Sequence, residues 1–196
     1  MVNVTPVAIT SAPMALALPS SLTPSKVSAF KDCALAFRFS VIDKIPEPPS
    51  IHAVKGTFVH RALELLMWNE PPGTRTLDVG FKKLAEARDE LRNDAEFLGL
   101  ELDPVTEEEF AADSEVLLRN YFELENPNDV TVIGTELMME VEIGTMRLRG
   151  IIDRLERDSK GQLIVTDYKT GKAPSEQFEK LRLGGVQFYA YLCESV

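Results

Sequence analysis

The chain has 196 residues, 44% hydrophobic and 27% charged, with a formal net charge of -10, which suits one globular domain with its own core and excludes wholesale disorder. So acidic a protein does not coat DNA through bulk electrostatics, and any nucleic-acid contact has to be local. Two cysteines, Cys33 and Cys193, exclude a disulfide scaffold and fit a reducing, cytoplasmic compartment; no uninterrupted apolar run is long enough to span a membrane.

Residues 1–21 contain three prolines and no Lys or Arg, so they lack the positive start of an export signal and read as a flexible tail, with the domain proper over 22–196. "LTPSKVSAFKDCALAFRF" predicts one helix: Thr23 caps it, Pro24 suits the first turn, and Val27, Phe30, Ala34 and Phe37 recur at helical spacing. "IPEPPS" forces an extended loop. A second helix runs from about Ala53 to Trp68, carrying Phe58, Ala62, Leu65 and Leu66 on adjoining faces and His60 in its middle. "NEPPGTRT" ends it, and His52 is expected in a solvent-facing loop.

A helical insertion, about 76–125, follows as two stretches, Leu77 to Leu98 and Thr106 to Leu124, the second opened by the capping box Thr106-x-x-Glu109. Its acidic excess reads as a solvated face turned away from DNA. From Thr131 the texture becomes β: "TVIGTELMMEVEIG", "TMRLRGIIDRLERD", a "SKGQ" turn and "LIVTDYKT" predict an antiparallel meander with the third run buried in the sheet. From about Ser175 the pattern returns to helix, weakened in its middle by Gly184 and Gly185.

Strand alternation puts Asp167 and Lys169 on one side and Tyr168 on the other, with Asp153 on the preceding strand within reach of Asp167. Convergent carboxylates repel unless a cation lies between them, so such a pair points to Mg²⁺ or Mn²⁺, with the lysine available to orient water or stabilise developing charge. The same residues also read as a turn cap or an Asp153–Arg154 pair, with Lys169 as a strand-end cation. His60 also reads as a partner of Glu64 at i,i+4, and Gln187 and Tyr191 as a polar residue beside a core tyrosine.

Four motifs in order tip this balance: "GTFVH" (Gly56 to His60), "GIID" (Gly150 to Asp153), "DYKTG" (Asp167 to Gly171) and "QFYAY" (Gln187 to Tyr191). Over roughly Leu22 to Tyr191 the chain resembles the RecB-type nuclease branch of the PD-(D/E)xK superfamily, with its GxxxH, GxxD, DxK and QxxxY signatures. The resemblance implies an α/β, restriction-endonuclease-like core with a short mixed sheet flanked by helices. It implies a Mg²⁺- or Mn²⁺-dependent DNA exonuclease of repair or recombination, with DNA as partner and room for a helicase or other repair protein. It makes His60, Asp153 and Asp167 side-chain metal ligands, adds the Tyr168 backbone carbonyl, assigns Lys169 as the catalytic lysine, and gives Gln187 and Tyr191 the positioning of DNA. Glu136 is an accessory acidic candidate. The basic residues Arg147, Arg149, Arg154, Lys172, Lys180 and Arg182 are expected to form a local positive field. The alternative is a DNA-binding or partner-docking module that keeps the fold without turnover.

Cys33 sits where some such nucleases begin a [4Fe-4S] ligand set. Four thiolates cannot come from two cysteines, so Cys33 is an iron–sulfur ligand only if a longer chain supplies more. The sequence reads as C-terminally shortened relative to those nucleases; otherwise Cys33 is a small buried hydrophobe.

Overall fold

The computed structural model describes residues 17–171 and 184–195. Strand β1, Ser21–Leu22, leads into helix α1, Pro24–Asp32, whose N-cap Thr23 accepts from the Lys26 N–H. The expected continuous helix breaks at Cys33, whose backbone is extended; α2, Ala34–Phe37, and a π-helical turn, Arg38–Ile42, follow. The break turns Phe37 into the protein, edge-on to Phe30, with ring centroids 5.4 Å apart. Cys33 is left exposed, so it is not a buried hydrophobe.

Helix α3, Ile51–Asn69, begins directly after the proline-rich loop and takes in His52, which is exposed on its first turn. Next come α4, Leu77–Leu91, the short α5, Ala95–Leu98, and α6, Pro104–Leu124. The predicted 77–98 helix is split, and Asp94 caps a new start at Ala95, its side chain accepting from the Glu96 N–H. The predicted Thr106 capping box is replaced by Asp103, which accepts from the Val105 and Thr106 N–H groups with Pro104 in the first turn; a carboxylate there also suits the helix dipole. A 3₁₀ turn, Pro127–Asp129, leads to the sheet.

Strands β2, Val132–Ile143, β3, Met146–Arg157, and β4, Leu163–Thr166, form the predicted antiparallel meander. The parallel pairing of β1 with β3 makes the sheet mixed. The central strand is β3, and the expectation of a buried third run fails: Leu163 and Ile164 of β4 are exposed. Apolar composition alone does not distinguish a covered strand from an edge strand. Helix α7, Gly184–Glu194, packs on the sheet. The earlier part of the helix expected from Ser175, and the tail up to residue 16, lie outside the described residues.

The core has two main parts, with α3 between them and touching both α4 and the sheet. On one side Val59, Ala62, Leu63 and Leu66 meet Leu84, Ala87 and Leu118 of the insertion. On the other, Ile152 and Leu155 meet Tyr189 and Leu192 of α7. A smaller aromatic cluster of Phe58, Phe97 and Phe110 ties α5 and α6 to α3. Buried Arg75 donates to the carbonyls of Met67, Glu70, Pro127 and Val130, pinning the insertion's return to the sheet.

Candidate active site

The site begins with two close approaches that a side chain at either position would obstruct. A Cβ on buried Gly56 would lie 3.0 Å from Thr170 Oγ1, and one on Gly150 would lie 2.7 Å from the Tyr189 ring. The glycine of "GTFVH" thus lets the "DYKTG" loop lie against α3, while the glycine of "GIID" lets α7 dock on β3. Both contacts bring motifs distant in sequence to one place.

His60 projects from α3 toward β3, its Nδ1 3.6 Å from Asp153 Oδ2. The same carboxylate oxygen accepts the Tyr168 N–H at 2.6 Å. Glu136 completes the group from β2. The β2–β3 register shifts between Val132 and Gly134, and Glu136 itself has φ +47°, in the left-handed region that a glutamate rarely adopts. It stands between the pairs Thr135–Arg154 and Leu137–Ile152, across from Asp153. One ligand atom each from His60, Glu136 and Asp153 all lie within 4.8 Å of one another. Such unusual backbone at converging acids is where proteins hold functional strain.

The electrostatics match the geometry. Glu136 is exposed, yet partial desolvation on the side facing the site, with the Asp153 and Glu64 carboxylates, pushes it up to about 7. Burial is also the largest influence on Asp153 and raises it, aided by Asp167 and opposed by His60, the Tyr168 N–H and Lys169. Carboxylates that resist ionisation beside an imidazole are short of positive charge. Two hard oxygen donors and one nitrogen form a donor set suited to Mg²⁺ or Mn²⁺.

Just beyond β4, Asp167 forms an ion pair with the exposed Lys169, as expected for side chains on one side of an extended segment. Tyr168 turns the other way, its ring edge-on to His60 and Tyr121. Asp167 and Lys169 line a cleft of about 230 Å³ with Lys31 of α1 and Gly185 and Tyr189 of α7. On α7, Gln187 and Tyr191 are exposed, whereas Tyr189 between them is buried. Sequence reasoning misses Tyr189, because it lies in the uninterrupted apolar run Phe188 to Cys193, which does not mark which aromatic faces the sheet.

Several sequence expectations change here. Glu64 pairs with Arg61 at 2.7 Å rather than with His60. Arg154 pairs neither with Asp153 nor with solvent: it is 1% exposed and held by Glu125 and Glu156, so it contributes nothing to an outward field. Arg147 leans on Glu140 at 3.5 Å, and Arg149 lies exposed against the Met138 sulfur. Lys172, Lys180 and Arg182 lie outside the described residues. Cys193 is half-buried beside Met139, on the sheet side of α7.

Comparison with known proteins gives a consistent result. A profile of the PD-(D/E)XK nuclease superfamily matches residues 21–196. The chain is also similar to a subunit of the ATP-dependent helicase/deoxyribonuclease of Streptococcus agalactiae, from serotypes Ia, V and III, in each case 29% identical over 168 residues. That alignment covers 78% of this chain but 14% of each relative.

Proposed function

Because the chain belongs to the PD-(D/E)XK nuclease superfamily, we propose that it is a Mg²⁺- or Mn²⁺-dependent deoxyribonuclease that degrades DNA from strand ends in repair or recombination. The observation that carries this reading is the convergence of His60, Glu136 and Asp153 within 4.8 Å, beside the Asp167–Lys169 pair. His60, Asp153 and Asp167, with the Tyr168 carbonyl, hold the cation, and Glu136 assists. A divalent cation there supplies positive charge against the scissile phosphate and Lewis acidity toward water.

The chain's own groups do the rest. The Tyr168 N–H orients the Asp153 carboxylate. Asp167 holds the Lys169 ammonium at the cleft, where it orients the attacking water and meets charge developing on the phosphate. Gln187 and Tyr191, exposed on α7, guide the DNA strand. No helix among the described residues is long and apolar enough to cross a membrane, and we place the protein in the cytoplasm. The name of the similar streptococcal protein, a helicase/deoxyribonuclease, supports a helicase partner.

The test is cleavage of end-labelled linear and closed circular DNA, single- and double-stranded, with Mg²⁺, Mn²⁺ or EDTA. Linear substrates are degraded with metal only, and circles persist. Lys169→Ala lowers single-turnover cleavage by about 10²–10³-fold while Mn²⁺ affinity stays near that of the parent. Cleavage in EDTA, or a Lys169→Ala variant as fast as the parent, overturns the proposal. Binding of DNA without cleavage under every metal condition supports the inactive module instead.

A further inference from the structure

The segment carrying Asp167, Tyr168 and Lys169 has left the sheet. The β3–β4 ladder ends at the pair Arg154–Thr166, and residues 167–170 have no regular secondary structure. Side-chain chemistry around Tyr168 takes over where the ladder stops. Its N–H donates to Asp153, and its hydroxyl accepts from Arg154 Nη1 at 3.1 Å. Its ring is wedged edge-on between Tyr121 and His60, at 5.8 Å and 5.7 Å.

Arg154 is the hub of this arrangement. Its Nη1 and Nη2 donate to the two Glu125 carboxylate oxygens at 2.7 Å and 2.8 Å. Nη1 also reaches the Tyr121 hydroxyl at 3.2 Å, Nη2 reaches Thr166 Oγ1 at 3.1 Å, and Nε lies 2.9 Å from Glu156 Oε2. A charge so buried is costly unless it is paired and hydrogen-bonded; here Nη1 and Nη2 carry the hydrogen bonds, while Nε has only the ion-pair contact with Glu156. Only a planar guanidinium presents enough donors to grip the end of α6, the end of β4 and the Tyr168 side chain together. Arg75, also buried, makes a useful contrast: its partners are backbone carbonyls outside the site.

We propose that Arg154 is a positioning residue for the catalytic centre, holding Tyr168 so that the Asp167–Lys169 peptide stays against Asp153 where sheet pairing has ended. The same grip makes Glu125 and Tyr121 of the helical insertion part of the support for the site. The role deepens the nuclease reading and rests on it for its catalytic meaning, but the positioning itself is measurable without metal or DNA.

Three variants of the full chain test it: Tyr168→Phe, Arg154→Lys and, as the contrast, Arg75→Lys. The first readout is hydrogen exchange of the residue-168 amide by NMR, without metal and far below each melting temperature. Exchange speeds up by about tenfold in Tyr168→Phe and Arg154→Lys, the scale of one lost net hydrogen bond, and stays at the parent's rate in Arg75→Lys. The second readout is Mn²⁺ titration, in which the first two variants bind about tenfold more weakly and Arg75→Lys binds like the parent. Lowered melting temperatures with unchanged amide exchange and Mn²⁺ affinity make Arg154 merely a core ion pair and overturn the proposal. If Arg154→Lys fails to fold, the near-isosteric Tyr168→Phe decides alone. A parent that binds no Mn²⁺ removes the nuclease reading, while the amide exchange still settles the positioning role.

Discussion

Gly150→Ala adds one methyl group at the seam between the central strand and α7. The new Cβ would sit 2.7 Å and 3.1 Å from Tyr189 ring carbons and 3.2 Å from Leu192 Cδ1. Carbon atoms pack at about 3.5–4.0 Å, so the ring has to retreat by about 1 Å. It has little room to do so, being 8% exposed and packed with Ile152, Leu155 and Leu192. Overpacking of this kind costs about 1–3 kcal/mol, which for a chain of this size lowers the melting temperature by roughly 3–10 °C. Since Tyr189 also lines the cleft with Asp167 and Lys169, the proposed DNA cleavage falls as well. Thermal denaturation followed by circular dichroism measures the first effect, with Gly184→Ala as control because nothing among the described residues lies within 4 Å of its built Cβ. Adding Tyr189→Leu makes room, so the double variant loses less than the sum of the two single losses. A Gly150→Ala protein that melts with the parent refutes the steric account of this glycine.

Three further outcomes follow from the site. Mn²⁺ at about a hundred times its dissociation constant stabilises the protein by about 2.7 kcal/mol, and Asp153→Asn abolishes most of that gain; calorimetry showing equal melting in Mn²⁺ and EDTA contradicts it. Folding raises Glu136 from 4.5 to about 7 and raises Asp153 too. Between about 4.5 and 7 the folded state therefore binds more protons than the unfolded state, and the metal-free protein loses stability as pH rises through that window. Saturating Mn²⁺ reverses the trend by favouring the ionised acids, and Glu136→Gln flattens it; a parent and variant with parallel melting–pH curves refute this. The 196-residue chain purifies colourless under anaerobic conditions, and Cys33→Ser, at an exposed position, shifts stability by less than about 0.5 kcal/mol. A brown protein absorbing at roughly 400 nm, the mark of an iron–sulfur cluster, overturns that expectation.

Local pattern was enough to place α3 within two residues at its start and one at its end, to predict the β2–β3–β4 meander, and to put Asp167 and Lys169 on one side of their segment. These features depend on neighbours a few residues away: helical spacing, strand alternation and proline loops are all written over short spans. The four motifs likewise pointed to one family because each is a local string. What only the tertiary structure decided depends on residues far apart in the chain. The broken helix at Cys33 and the exposed β4 reflect what covers each element, which its own composition does not state. Glu136, an accessory acidic candidate in the sequence, lies with His60 and Asp153 in one group of ligand atoms within 4.8 Å, at a left-handed backbone position that its own residue type does not announce. Arg154, read from sequence as a surface charge, is buried because Glu125, 29 residues earlier, meets it as an ion-pair partner. In one dimension an arginine facing solvent and one buried against a carboxylate look alike; burial and long-range pairing distinguish them, and both arise only when the chain has folded.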